Sequence, residues 1–165
     1  MKTLRFLLGF ALTLTAASLL RAETVPATPA PAWKLQDVNG NEVSSAQFKG
    51  KVIVVDFWAT WCGPCRMEIP GYIELKKKYG KDGLVIIGIS CDTDKNAPQT
   101  VKNFMKQAGM TYQVVMADEE VQTAFGGMDA IPTTFIIDRA GNIRDRKVGA
   151  EPTAEYEKVI LKYLK

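Results

Sequence analysis

The residues best suited to chemistry are Cys62 and Cys65, separated by Gly63-Pro64, with Cys91 as the third cysteine of the chain. Two thiols at this spacing can bind a metal or exchange electrons as a dithiol and disulfide. A structural zinc site needs two more ligands, and one further cysteine with no histidine falls short of the usual set. A purely structural bridge is the other reading, but closing so small a loop adds little stability. The pair follows the apolar run Val52-Ile53-Val54-Val55-Asp56-Phe57-Trp58 and opens a helix-compatible stretch. A helix start offers unpaired N–H groups and the positive end of the dipole, which favour a thiolate at Cys62 and make it the nucleophile. Cys65, one turn further in, is shielded and placed to attack a mixed disulfide formed by Cys62. Pro64 falls in the first turn, where its missing N–H is not needed. Cys91 ends the run Gly88-Ile89-Ser90-Cys91 and reads as a small buried apolar side chain or as a third redox thiol.

The elements around the pair can be read from periodicity. Residues 52–58 suit a strand covered on both faces. Asp56 interrupts that run, and a carboxylate there is costly unless protonated or partnered. Residues 63–79 carry Ile69, Ile73 and Tyr79 in a helix-compatible pattern that Gly80 should end. A second buried strand is expected over 84–89, a helix over 96–107, a short strand over 112–116 and a short helix over 119–125. Residues 133–137 and 143–148 pair around Ala140-Gly141-Asn142, and Pro152 opens a last helix with Tyr156, Val159, Ile160, Tyr163 and Leu164 on one face. Upstream, 33–38 and 42–44 flank Asn39-Gly40, a hairpin signal. The order predicts an α/β domain over residues 34–165: a central mixed β-sheet flanked by helices, with an extra N-terminal β-hairpin. Residues 23–33 are rich in proline and alanine and read as an extended linker.

The run Val55-Asp56-Phe57-Trp58-Ala59-Thr60-Trp61-Cys62-Gly63-Pro64-Cys65 resembles the active-site strand and motif of thioredoxins, and Ile131-Pro132-Thr133 resembles their cis-proline loop. The resemblance spans nearly all of residues 34–165 and implies the thioredoxin fold. Arg66-Met67-Glu68-Ile69-Pro70, the N-terminal hairpin and the leader narrow it to exported TlpA/ResA-type thiol:disulfide oxidoreductases. It implies Cys62 as attacking thiolate, Cys65 as resolving thiol, and a redox-active disulfide with no other cofactor and no metal. Pro132 is implied as a cis-proline beside the disulfide, with Ile131 exposing backbone for a substrate strand. Its plainer reading is a trans proline entering a strand. Trp61, Gly63 and Pro64 complete the substrate-facing rim. Asp56 matches the buried acid that takes the resolving thiol's proton, and Glu68 matches an acid kept near the disulfide; which of the two handles the proton stays open. The plainer reading of Glu68 is a solvated charge on the helix surface.

The 21 Lys and Arg against 18 Asp and Glu give a net charge of +3. Lys2 and Arg5 precede an apolar run of roughly 15 residues, short of the roughly 20 that span a bilayer, followed by Arg21-Ala22. Residues 1–22 therefore read as a signal peptide or an N-terminal membrane anchor. They hold three of the cations and no acid, so the remainder balances at 18 against 18 and gives no reason to expect nucleic acid. The periplasm, or the outer face of the cytoplasmic membrane, is the expected location. The Gly-Pro pair is that of thioredoxin, near about −270 mV, against about −120 mV for strong oxidants, a gap of about 7 kcal/mol favouring a reductant. The resemblance implies disulfides of exported proteins as substrates, with a role in cytochrome c maturation, and a membrane thiol donor of DsbD/CcdA type. Two other readings are a thiol peroxidase of peroxiredoxin type and a copper-binding or chaperone module. Against the first, Val55 and Ala59 replace the Pro and Thr of the peroxidase motif.

Overall fold

The apolar run at 52–58 becomes a strand near the middle of a six-stranded sheet. The computed structural model describes residues 28–165, and the expected signal or anchor lies outside the described residues. In chain order the elements are β1 (Thr28–Pro29), β2 (Lys34–Gln36), β3 (Glu42–Ser44), β4 (Val52–Trp58), α1 (Gly63–Tyr79), β5 (Leu84–Ser90) and α2 (Ala97–Ala108). They continue with β6 (Gln113–Met116), α3 (Glu119–Ala124), β7 (Thr133–Ile137), β8 (Asn142–Val148) and α4 (Thr153–Leu164). The sheet order is β1-β8-β7-β4-β5-β6. β4, β5 and β6 run parallel, whereas β7 is antiparallel to both β4 and β8, so the sheet is mixed as expected.

Alternation along β4 divides the core. Val52, Val54 and Trp58 face α1, α2 and α4, where Ile69, Tyr72, Val101, Tyr156 and Ile160 are buried. Val55 and Phe57 face the other way, onto Val121 and Phe125 and onto Trp33, Leu35 and Val43 from the N-terminal segment. The hairpin β2–β3 is a two-stranded sheet of its own that helps cover this second face, and an isolated bridge from Asp37 to Val115 ties the following residue to the main sheet.

One local expectation changes. The proline-rich stretch is not a free linker up to residue 33. Thr28 and Pro29 pair with Ile143 and Asn142 on β8, and the Ala30 N–H donates to the Gly141 carbonyl at 2.9 Å. Trp33 is buried against Phe48, its N–H donating to the Ser45 hydroxyl at 3.2 Å. Proline lacks the N–H donor a central strand needs, and an edge position is where it is tolerated. Gly80 does end α1 at Tyr79, as expected; a 3₁₀ turn follows through Asp82, and Gly83, at φ 98°, makes the left-handed turn. That conformation costs glycine nothing.

Glycine also sets the distance between α1 and α4. A Cβ on Gly71 would overlap the Thr153 hydroxyl and stand 3.0 Å from Thr153 Cβ. Gly71→Ala should therefore force the helices apart and destabilise the protein by about 1–3 kcal/mol, as overpacking does. Urea denaturation measures it, and shortening the partner with Thr153→Gly should recover part of the loss.

Candidate active site

Cys62 and Cys65 form a disulfide at the start of α1, Cα atoms 5.3 Å apart. Three features fix the loop that delivers Cys62. The Cys62 N–H donates to the Ala59 carbonyl at 3.1 Å, closing a turn. Cys62 then caps α1 with sulfur, its Sγ accepting the Cys65 N–H at 3.2 Å, while Pro64 sits in the first turn. Asp92, just past β5, holds the turn from below: its carboxylate accepts the Thr60 N–H at 3.0 Å, the Thr60 hydroxyl at 2.5 Å and the Ser90 hydroxyl at 2.7 Å. Cys65 is fully buried and Cys62 nearly so, whereas Gly63 and Pro64 are exposed. Trp61 and Met67 are exposed too, at 69% and 71%, a large apolar surface beside the sulfurs.

The loop before β7 closes the site from the other side. The Ile131–Pro132 bond is cis, and the Ile131 carbonyl oxygen lies 3.7 Å from Cys62 Sγ. Its neighbours are tied down: the Thr133 hydroxyl donates to the Ala130 carbonyl at 2.7 Å, and the Gly149 N–H to the Pro132 carbonyl at 2.8 Å. Pro132 is thus the cis-proline that the resemblance implied.

Both acids named from the sequence are inside. Asp56 is 1% exposed, and its Oδ1 accepts from the Thr134 hydroxyl at 3.2 Å. Burial pushes its carboxyl well above the usual range, and the charge of Glu68 adds to the rise. Glu68 is 5% exposed, so it is not a solvated surface charge. Its Oε1 accepts from the Tyr156 hydroxyl at 2.6 Å and the Glu151 N–H at 2.9 Å, while Oε2 is buried without a partner among the described residues. Burial raises Glu68 as well, in excess of what these donors lower it. Trp58 Nε1 is likewise buried and unpartnered among the described residues; a Cβ at Gly88, which sits beside Asp56 on β5, would come 2.8 Å from that nitrogen. Cys91 is half-buried and unpaired, and burial, with the charges of Asp56 and Asp92, pushes its thiol up to about 11. At neutral pH it is a thiol packed in the second core cluster. No group of three or more potential metal-ligating side chains is found among the described residues.

Residues 26–160 match the Redoxin family. The chain belongs to that family. Similar proteins include the thiol-disulfide oxidoreductase ResA of Bacillus thuringiensis (strain Al Hakam), 32% identical over 128 residues that cover 78% of this chain and 72% of the relative. The thioredoxin-like protein YneN of Bacillus subtilis (strain 168) is 31% identical over 128 residues, 78% of this chain and 74% of YneN. In three dimensions this Redoxin chain is similar to a thiol:disulfide interchange protein of the thioredoxin family from Chlorobium tepidum TLS. That match has a TM-score of 0.78 and 37% identity, covering 86% of this chain and 99% of the other. The Redoxin chain is a thiol:disulfide oxidoreductase with the thioredoxin fold.

Sequence reasoning passed over Thr60, Asp92, Thr134, Tyr72 and Tyr156. The one available signal was the presence of hydroxyls and an acid inside or beside otherwise apolar strands, as in Ile89-Ser90-Cys91-Asp92 and Thr133-Thr134-Phe135.

The raised carboxyl of Asp56 has a consequence for stability. Between the unfolded value, about 3.9, and the higher folded one, the native state keeps a proton that the unfolded state has lost. Stability therefore falls as pH rises through that window. Asp56→Asn should stabilise the oxidised protein at pH 7 and above and make no difference near pH 3, where both states hold the proton. Urea midpoints across pH 3–8 would show the gain appearing with rising pH.

Proposed function

We propose that this protein is an exported reductase of protein disulfides, with Cys62 as nucleophile and Cys65 as resolving thiol. The observation that carries the proposal is the setting of Cys62 in this buried pair. Cys62 Sγ faces the Ile131 carbonyl at the cis-proline loop beside exposed Trp61, while Cys65 is sealed beneath it.

In the reduced protein the Cys62 thiolate, favoured at the N-terminus of α1, attacks one sulfur of a substrate disulfide. A Cys62–substrate bond forms, the substrate S–S bond breaks, and the other substrate sulfur leaves as a thiolate. Trp61, Gly63, Pro64 and the Ile131 backbone contact the segment that carries the disulfide, the backbone by strand-like pairing. Cys65 then loses its proton to the carboxyls beneath and attacks Cys62 Sγ. The Cys62–Cys65 bond forms, the mixed disulfide breaks, and the substrate departs reduced by two electrons. Asp56 and Glu68 suit the proton step because burial brings their proton affinity closer to that of a thiol.

Reductive direction rests on the Gly-Pro pair between the cysteines, and export on Lys2 and Arg5 ahead of the apolar run. A reductant outside the cytoplasm must be recharged, and a membrane dithiol of DsbD/CcdA type supplies the electrons. Apocytochromes awaiting haem attachment fit as substrates, since they need free thiols.

Cys65→Ser leaves the mixed disulfide unresolved, so it should accumulate covalent adducts through Cys62 in cells, released by dithiothreitol. Cys62→Ser should show none and reduce disulfides no faster than buffer. Adducts whose partners carry haem-attachment cysteine pairs support cytochrome maturation. An absence of Cys62 adducts in the Cys65→Ser protein overturns the role given to Cys62.

A further inference from the structure

A continuous file of polar side chains runs through the apolar face of the sheet and joins the two buried acids. Thr134 lies opposite Asp56 in the β4–β7 register and donates its hydroxyl to Oδ1 at 3.2 Å. Tyr72, from α1, stands 3.0 Å from Thr134 Oγ1, and Tyr156, from α4, 3.4 Å. Tyr156 is also 2.6 Å from Glu68 Oε1. Each hydroxyl carries one proton. With Thr134's committed to Asp56, Tyr72 donates to Thr134; the single Tyr156 proton serves Glu68, at the shorter contact, or Thr134, and the file is unbroken from acid to acid in the second case, with a protonated Glu68 donating to Tyr156.

Support for ionised carboxylates along this file is unequal and incomplete. Asp56 receives the Thr134 hydroxyl at Oδ1, Glu68 receives two donors at Oε1, and Glu68 Oε2 is buried with no partner among the described residues. Two negative charges in one low-dielectric layer also oppose each other. The other titratable groups facing the pair are Tyr72 of α1, Tyr112 ahead of β6, Cys91 past β5, Glu151 in the loop before α4, and Tyr156 itself. They add acids and phenols; the cation nearest by register is Lys147 of β8, opposite Thr134 and 4.0 Å from Asp145.

We propose that Thr134 and Tyr156 are positioning residues that couple Asp56 to Glu68, so that the two carboxyls share one proton and Tyr156 decides which of them holds it. This deepens the exchange mechanism proposed above and rests on it for its use. One shared proton leaves one carboxylate vacant. When Cys65 attacks Cys62, its thiol proton enters that vacancy as the Cys62–substrate bond breaks and the substrate thiolate leaves. Coupled sites lose protons in steps that belong to the pair.

Carboxyl ¹³C titration of the oxidised protein tests the coupling without any redox step. In wild type, the Asp56 and Glu68 carbons should both trace the same two steps. Tyr156→Phe removes a donor from Glu68, so Glu68 should titrate about one pH unit higher. Asp56, relieved of the neighbouring charge, should titrate lower. Thr134→Val should do the reverse, raising Asp56 and lowering Glu68, and Thr134→Ser should restore the wild-type curves. Independent single steps in wild type overturn the proposal, as does a Tyr156→Phe protein in which Asp56 is unmoved. Should Thr134→Val fail to fold, the sign of the Asp56 shift in Tyr156→Phe decides alone. Coupled titration in a protein whose Cys65→Ser form traps nothing would sink the exchange mechanism and leave the coupling standing.

Discussion

A carboxyl group buried in a central strand has no water to solvate it, and much of the site is arranged around that cost at Asp56. Thr134, across the ladder on β7, supplies a hydroxyl, Tyr72 supports Thr134 from α1, and Gly88 on β5 leaves space beside Trp58. Even so the compensation is partial, and burial leaves the carboxyl well above the usual carboxylate range. A fully satisfied carboxylate would be a better structural element and a worse proton acceptor. The shortfall in donors is what makes this acid chemically useful.

Above that buried layer the architecture is rigid where the sulfurs are delivered. Asp92 accepts three hydrogen bonds and fastens the turn leading to Cys62 to the end of β5, while the loop carrying Ile131 is fastened at Ala130 and Pro132. The two loops come from strands that are neighbours in the sheet, β4 and β7. Their ends therefore meet without long excursions, and the 3.7 Å approach of Cys62 Sγ to the Ile131 carbonyl follows from sheet order.

What was legible in the sequence was local. β4, the cysteine motif and the Ile131-Pro132 pair each announce themselves within a few residues, and Asp56 stands out because its neighbours are apolar. Glu68 was ambiguous because an exposed helix glutamate and a buried one look alike until the packing of α4 over α1 is known. Tyr156 and Thr134 were invisible as partners, since aromatic and β-branched residues in a helix face and a strand are ordinary core material. Residues 28–33 were misread for a related reason. Proline-rich composition gives extended backbone correctly, but whether an extended segment is free or captured depends on β8 and Ser45, which lie far along the chain.

The contact between Gly71 and Thr153 joins positions distant in sequence into a single unit for natural selection. A side chain can enter at one only if volume leaves at the other, so among descendants of a common ancestor the two should change together. Because Thr153 begins α4 and Glu151 lies just ahead of it, such a paired exchange would also move the N–H that Glu68 accepts. Drift at a remote helix crossing thus offers evolution a way to retune the acidity of the site while leaving the cysteine motif untouched.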